Sequence, residues 1–126
     1  MLSTAKLQTI VLASRIGVAR AFYEDTLGLP VKGQSDGAVV FDVGGGDLRV
    51  SPVQRTAPSE HTVAGFAVDD VGAIVTTLRD RGVSFERFPG FPHDDAGIVA
   101  TPDGSNVTWF RDPDGNLLSV VQYRVA

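Results

Sequence analysis

The chain has no cysteine, and this absence excludes disulfide bonds, thiolate catalysis and zinc sites built from thiolates. Long apolar runs are also missing, since no stretch approaches the ~20 residues of a membrane-spanning helix. Residues 1–6 contain no basic segment followed by an apolar run of signal-peptide length. We therefore expect a protein of the cytoplasm.

An excess of positive charge is likewise lacking, because the formal net charge is −4. Such a chain has no general attraction to phosphate backbones or to anionic lipid, so we expect no nucleic acid and no membrane partner. Hydrophobic residues make up 43% and charged residues 21%, which is typical of a folded domain. A length of 126 residues leaves room for a single domain over residues 1–126.

The first half of the chain predicts a strand, a helix and further strands. Residues 7–13 are rich in β-branched and aliphatic side chains, which favours a strand. Apolar residues recur at helical spacing over residues 19–27, and Gly28 is expected to end that helix. Turn residues then separate three extended runs, at residues 31–33, 38–43 and 47–53.

The second half repeats this order at an offset of about 54 to 55 residues. A strand is predicted over residues 62–68 and an amphipathic helix over residues 71–78, ending at Gly82. Four extended runs come next, at residues 83–88, 97–101, 107–111 and 117–123. We therefore predict a first module over about residues 5–54, a linker over about 55–61 and a second module over about 62–126.

Three segments carry a family resemblance. They are residues 20–29, with Phe22-Tyr23 before Leu27-Gly28-Leu29, then residues 68–71, and residues 109–116 with the sequence Trp-Phe-Arg-Asp-Pro-Asp-Gly-Asn. They resemble the signatures of the vicinal oxygen chelate superfamily, which includes glyoxalases, bleomycin resistance proteins and extradiol dioxygenases. The resemblance implies one α+β domain of two tandem βαβββ modules. Their curved mixed sheets would enclose a cleft, with one helix per module packed outside, and two copies would form a homodimer.

The resemblance also implies where a metal would bind. Metal-using relatives hold two His and one or two Glu on the first and last strands of the modules. Those positions fall here on Gln8, Val63 and Ser119, with Val50 or Ser51 as the fourth, depending on strand register. Neutral and aliphatic side chains do not compensate a divalent ion for its lost water. We therefore predict a metal-free cleft and no cofactor.

Two histidines leave alternatives open. His61 lies two residues before Val63 and would share its face, so it could enter the cleft as a non-standard metal ligand, with Glu60 or Asp42 supplying a carboxylate. The other interpretation is a linker histidine in solvent. His93 and Asp94 could act as an acid–base pair on a carbonyl compound, or could belong to a solvated loop.

The two-residue period of a strand selects the side chains that face the cleft. If Gln8 faces it, Ile10 does too, and Val63 and Gly65 do so in the second module. Phe91 and Trp109 could stack on a planar ligand, whereas Phe41 and Phe88 are expected in the core. Arg49 is expected to face water, and the alternative is that it binds an anion. The predicted ligand-binding residues are Gln8, Ile10, Val63, Gly65, Phe91, Trp109 and Ser119.

These observations favour a protein that binds a small apolar or aromatic molecule in a metal-free cleft. The alternative is a metal-dependent lyase, isomerase or dioxygenase of the same superfamily that uses non-standard ligands. Whether the protein is an enzyme stays open, because a fold of this kind hosts many chemistries.

Overall fold

The computed structural model describes residues 1–124. The chain divides into two compact units, of which the first is Met1–Ala57 and the second begins at Pro58. Each unit carries one four-stranded mixed sheet and one α-helix, which confirms the predicted α+β fold with two βαβββ modules. No helix among residues 1–124 is long and apolar enough to cross a bilayer.

The first unit has the predicted order of elements. After a short 3₁₀ turn at Leu2–Thr4 come β1, Gln8–Ala13, and α1, Ile16–Ala21, and then the strands β2, Val31–Ser35, β3, Ala38–Val43, and β4, Gly46–Pro52. The strand order in the sheet is β1-β4-β3-β2, with β1 parallel to β4 and the other pairs antiparallel.

The sequence predicts a regular helix over residues 19–27. In the structure the helix of the first unit is α-helical only as far as Ala21. It changes at Phe22–Thr26 to a π-helical turn, in which the Leu27 N–H donates to the carbonyl of Phe22. The wider turn accompanies full burial of Tyr23, whose ring packs 5.8 Å from that of Phe41. Gly28 comes next with φ 73°, a left-handed conformation that ends the helix at low steric cost.

The second unit contains β5, Ala64–Ala67, α2, Val71–Asp80, β6, Val99–Ala100, β7, Asn106–Arg111, and β8, Leu117–Gln122. The strand order is β5-β8-β7-β6, again with a parallel first pair. Asp70 caps α2, because its carboxylate accepts a hydrogen bond from the N–H of Ala73 at 3.1 Å. The Gln122 side chain accepts a second one, from the N–H of Val71 at 3.0 Å.

The outer strand beside β7 is interrupted, whereas the sequence predicts full strands over residues 83–88 and 97–101. Phe85 bridges to Phe110, and the Glu86 N–H donates to the Trp109 carbonyl at 2.8 Å. The strand resumes only at β6, opposite Val107 and Asn106. Residues 87–98, which we name the aromatic loop, leave the sheet between these points. Prolines at 89 and 92 lack the N–H that a continuous ladder requires.

Each sheet has one buried face and one open face. In the first unit Val11 and Ala13 are buried, while Ile10 and Leu12 are 55% and 44% exposed, as the two-residue period predicts. In the second unit α2 contacts β7 and β8. The buried face there carries Phe66, Thr108, Phe110, Leu118 and Val120. The open faces are therefore the surfaces available to a ligand.

Candidate functional site

The open face of the second sheet places three predicted site residues in one row. Ser119 on β8 pairs with Gly65 on one side and with Trp109 on the other. Paired residues on adjacent strands share a face, so their side chains lie side by side. The next row of the same face consists of Ala67, Val121 and Val107. The floor of this site is therefore small and mostly apolar.

A groove of about 450 Å³ lies on this face. Its walls combine one charged side chain, two serines and a threonine with apolar or aromatic groups. The lining residues are Thr101, Pro102, Asp103, Ser105, Val107, Trp109, Ser119, Val121 and Tyr123. Ligand sites of proteins commonly combine apolar walls with a few polar groups and have volumes of about 300 to 1,000 Å³. The groove therefore has the size and chemistry of a small-molecule site.

Four aromatic rings form a cluster at one side of the groove. Trp109 lies 5.4 Å from Phe88, 5.9 Å from Phe91 and 6.1 Å from His93, measured between ring centroids. Three of these rings come from the aromatic loop, and the fourth comes from β7. Phe91 is 53% exposed, so much of its ring remains open to a stacking partner.

His93 ties the two ends of the aromatic loop together. Its Nε2 accepts a hydrogen bond from the Phe88 N–H at 2.9 Å, and its Nδ1 lies 2.8 Å from the Gly97 carbonyl oxygen. The same carbonyl accepts from the buried hydroxyl of Thr108 on β7, at 3.2 Å. The loop is thereby anchored to the sheet beneath the rings.

Other residues of the loop are also used for bonding within it. The Asp94 carboxylate accepts hydrogen bonds from the N–H groups of Ala96 and Ile98, at 2.9 and 2.8 Å. Arg87 donates to the carbonyls of Asp94 and Asp95. His93 and Asp94 thus have structural roles in the loop, and an acid–base role for this pair stays a prediction.

Two further contacts define the groove. Gly65 leaves room for the Ser119 hydroxyl, because a Cβ built on Gly65 would lie 2.7 Å from Ser119 Oγ. Asp103 stands at the rim, in the turn before β7. The pKa of its carboxyl group is lowered, first by the hydrogen bond from the Thr101 hydroxyl and then by the bond from the Ser105 N–H. Asp103 therefore carries its negative charge at neutral pH.

The remaining predicted residues lie elsewhere. Gln8 and Ile10 are on the open face of the first sheet, in the first unit. Val63 directly precedes β5, is 39% exposed, and donates its N–H to the Leu117 carbonyl. The structure thus brings together Gly65, Phe91, Trp109 and Ser119 of the predicted set.

The open face of the first sheet is more charged than that of the second. Asp47 accepts hydrogen bonds from Lys32 at 2.6 Å and from Lys6 at 3.1 Å. The bond from Lys32, followed by that from Lys6, lowers the pKa of Asp47, and the same contact raises the pKa of Lys32. Arg49 pairs with Ile10 on this open face, and its guanidinium donates at the surface to the hydroxyl and carbonyl of Ser35.

The donor set does not fit a divalent metal ion. The register resolves the fourth position, because Leu12 pairs with Ser51 on the open face, while Val50 is fully buried. Gln8, Ser51 and Ser119 provide neutral oxygens, and Val63 provides none. Within the described chain, residues 1–124, no three His, Cys, Asp or Glu side chains converge on a point where they could hold an ion.

The non-standard ligand His61 is exposed, and its backbone N–H donates to the Ser59 hydroxyl at 2.9 Å. Glu60 beside it is exposed as well, and Asp42 lies on β3 of the first unit. A metal role for His61 stays a prediction that no contact in the structure supports.

The predicted ligand-binding set omits several residues that belong to the site, Asp103 and Val121 among them. Tyr123 and Val107 can be derived from the same alternation that places Ser119 and Trp109, so the strand period carries the signal for them. Phe88 is expected in the core, yet it lies half-buried in the ring cluster. Its place depends on the path of the aromatic loop, which no local pattern encodes.

Known proteins resemble this chain in sequence and in fold. The family model of the Glyoxalase/Bleomycin resistance protein/Dioxygenase superfamily matches residues 7–120. No curated protein matches the sequence. Solved structures at 21–23% identity share the fold of this chain.

Three of them illustrate the match. A lactoylglutathione lyase from Agrobacterium tumefaciens has a TM-score of 0.73 at 23% identity, with coverage of 94% of this chain and 93% of that one. A superfamily member from Sphaerobacter thermophilus has a TM-score of 0.72 at 23% identity, covering 98% and 100%. The bleomycin resistance determinant encoded on transposon Tn5 has a TM-score of 0.74 at 21% identity, covering 97% and 100%.

Proposed function

We propose that the chain, which belongs to the glyoxalase, bleomycin resistance protein and dioxygenase superfamily, binds a small apolar or aromatic molecule without a metal ion. The binding site is the groove on the open face of the second sheet. The observation that carries this proposal is the row of Gly65, Ser119 and Trp109, which joins a small floor to the ring cluster.

The ring cluster supports an aromatic ligand. Offset-stacked and edge-to-face ring pairs contribute about 0.5 to 1.5 kcal/mol each beyond the burial of apolar area. A planar ligand over Ser119 would reach Trp109 and, beside it, the half-exposed Phe91. Two such ring pairs contribute about 1 to 3 kcal/mol together, and burial of the ligand adds to this.

The charge of the second unit favours a neutral or cationic ligand over an anionic one. From Pro58 onward the sequence has ten acidic residues and five basic ones. Asp103, the charged side chain of the groove wall, is acidic as well. A carboxylate or sulfonate on the ligand would meet this field at unfavourable energy.

The proposal includes no metal ion because of the side chains that occupy the ligand positions of metal-using relatives. Ser119 occupies the position where the resemblance places a Glu, and Val63 occupies that of a His. Neither residue supplies the charge or the imidazole nitrogen that stabilises a bound transition metal. The proposal assigns binding to this groove and assigns no reaction to it.

The test compares two probes, 2-naphthol and its sulfonated analogue, on protein dialysed against EDTA. We expect 2-naphthol to raise the melting temperature and to shift the indole N–H resonance of Trp109, the single tryptophan of the chain. A ligand at a hundred times its Kd stabilises the folded state by about 2.7 kcal/mol. The sulfonated probe should bind more weakly.

A pair of variants locates the site. Ser119→Leu places a branched side chain on the groove floor and should abolish binding. Thr77→Leu makes a similar change on the exposed side of α2 and should leave binding unchanged. The proposal fails if neither probe binds, or if binding requires a divalent metal and disappears in EDTA.

We also propose that the protein forms a homodimer in the cytoplasm. Ile10 and Leu12 are exposed apolar side chains on β1, at the edge of the first sheet, and a second copy could cover them. Light scattering of the purified protein should give twice the mass of 13.3 kDa. Replacing both residues with lysine should return the protein to a monomer, and cell fractionation would locate the protein.

A further inference from the structure

The aromatic loop interrupts an edge strand and pairs with the sheet at one isolated bridge, between His93 and Val99 of β6. Twelve residues, 87–98, leave the edge beside Trp109 and return at Val99. Backbone groups that leave a ladder must find partners elsewhere. Most of the bonds described above run between residues of the loop itself, and His93 takes part in two of them.

The partners of His93 fix its tautomer. A backbone N–H can only donate, so the Nε2 atom facing the Phe88 N–H at 2.9 Å must carry a lone pair. A carbonyl oxygen can only accept, so the Nδ1 atom at 2.8 Å from the Gly97 oxygen must carry the proton. The geometry therefore requires a neutral imidazole with its proton on Nδ1.

We propose that His93 is a positioning residue of the groove, and that a second proton, on Nε2, releases the Phe88 N–H and weakens binding of aromatic ligands. The inference rests on the proposed function for its ligand part. The imidazolium loses the acceptor that holds the Phe88 N–H, while its bond to Gly97 persists. Phe88 and Phe91 then lose their fixed positions against Trp109.

Charged side chains reach the aromatic loop from within it and from α2. Arg87, Asp94 and Asp95 lie on the loop itself, and Arg79 reaches it from α2, where it donates to the Ala96 carbonyl at 2.9 Å. The Asp94 carboxylate is engaged with two backbone N–H groups. The test spans about pH 8 to about pH 5, the range in which a histidine side chain commonly changes its charge.

The first part of the test uses the free protein. Nitrogen-15 NMR of the imidazole at pH 8 should show the proton of His93 on Nδ1. As the pH falls, hydrogen exchange of the Phe88 amide, corrected for its intrinsic pH dependence, should accelerate about tenfold with the same midpoint as the His93 titration. A proton on Nε2 at pH 8, or unchanged protection of the Phe88 amide across that titration, would overturn the inference.

Three variants separate this role from simple packing. In His93→Gln the amide oxygen can accept from the Phe88 N–H and does not titrate, so protection should persist from about pH 8 to about pH 5. His93→Phe keeps a ring in the cluster but has no acceptor, so protection should already be lost at the higher pH. His61→Gln, at the exposed histidine, should behave like the wild type. Full protection in His93→Phe would contradict the assignment.

The second part measures the affinity for 2-naphthol, whose own charge is constant over this pH range, through the indole N–H resonance of Trp109. Affinity should fall about tenfold on acidification in the wild type and stay constant in His93→Gln. If 2-naphthol binds with the same affinity at both pH values in the wild type, the coupling is refuted. If it binds at neither value, the proposed function and the coupling fail together, while the free-protein measurements still decide the role of His93.

Discussion

Substitutions of two phenylalanines distinguish the core of the second unit from its groove. Phe110 lies on the buried face of the sheet, and Phe91 lies in the aromatic loop beside the groove. Phe110 is 1% exposed on the buried face of the sheet, with its ring 5.9 Å from that of Phe85. Phe110→Ala removes a fully buried ring and leaves a cavity. We expect the free energy of unfolding to fall by about 3 to 5 kcal/mol.

Phe91, by contrast, should matter more for binding than for stability. Its side chain is 53% exposed, so only about half of its surface is removed from water in the folded state. Full burial of such a ring contributes roughly 1.5 to 3 kcal/mol, and half of that makes Phe91→Ala a change of about 1 kcal/mol. The loss of one ring beside Trp109 should nevertheless weaken 2-naphthol binding about fivefold to tenfold.

Urea denaturation followed by circular dichroism measures the first quantity, and titration of the folded protein measures the second. Phe110→Ala should lose stability while its folded fraction keeps the affinity of the wild type. Phe91→Ala should lose affinity while staying nearly as stable. Equal losses of stability in the two variants would show that Phe91 belongs to the core, and the assignment of the open face to the ligand would then be wrong.

Three smaller predictions concern single contacts. Asp47→Asn should lower the melting temperature at pH 7, and the difference should disappear as the pH falls through the lowered pKa of Asp47, because the bond from Lys32 favours the ionised carboxylate only above that value; a difference that grows in acid would contradict this sign. Gly65→Ala should weaken 2-naphthol binding, because the new Cβ would lie 2.7 Å from the Ser119 hydroxyl oxygen and would displace it. The losses of binding free energy from Gly65→Ala and Ser119→Ala should be less than additive in the double variant. Gly97→Ala should lower the free energy of unfolding by about 1 kcal/mol or more, because Gly97 has φ 92° and the new methyl group would lie 3.4 Å from the Cβ of Phe85. Urea denaturation that shows no loss of stability would refute this prediction.

The sequence predicts most of the fold because its signals are local. The alternation in β1, and in β8 from Leu118 to Val121, separates buried from open side chains. Gly28 and Asp70 mark helix ends through their own conformations and bonds. The π-helical turn at Phe22–Thr26 is not predicted, since its helical spacing is nearly that of an ordinary helix. The interrupted strand is missed for another reason: residues 83–88 have the composition of a strand, but their pairing is decided by the path of the aromatic loop.

At the candidate site, too, local sequence signals predict some residues and miss others. Gly65 and Ser119 are predicted from the strand period, and Trp109 is predicted as a ring that could stack on a ligand. All three are brought together across three adjacent strands. The position of Phe88 and the two bonds of His93 depend on how a loop rich in glycine and proline closes, and no periodicity encodes that closure. Prediction from pattern therefore finds the floor of the groove and misses part of its wall.

The interrupted strand has a consequence for the behaviour of the protein in solution. Sheet edges with long rows of unpaired N–H and C=O groups invite other chains to add a strand, which leads to aggregation. At this edge the regular strand is reduced to Val99 and Ala100, and the detour that shortens it is braced by its own hydrogen bonds. The segment that supplies the aromatic rings thus also protects the sheet from unwanted polymerisation, so shortening it to a continuous strand would endanger solubility as well as binding.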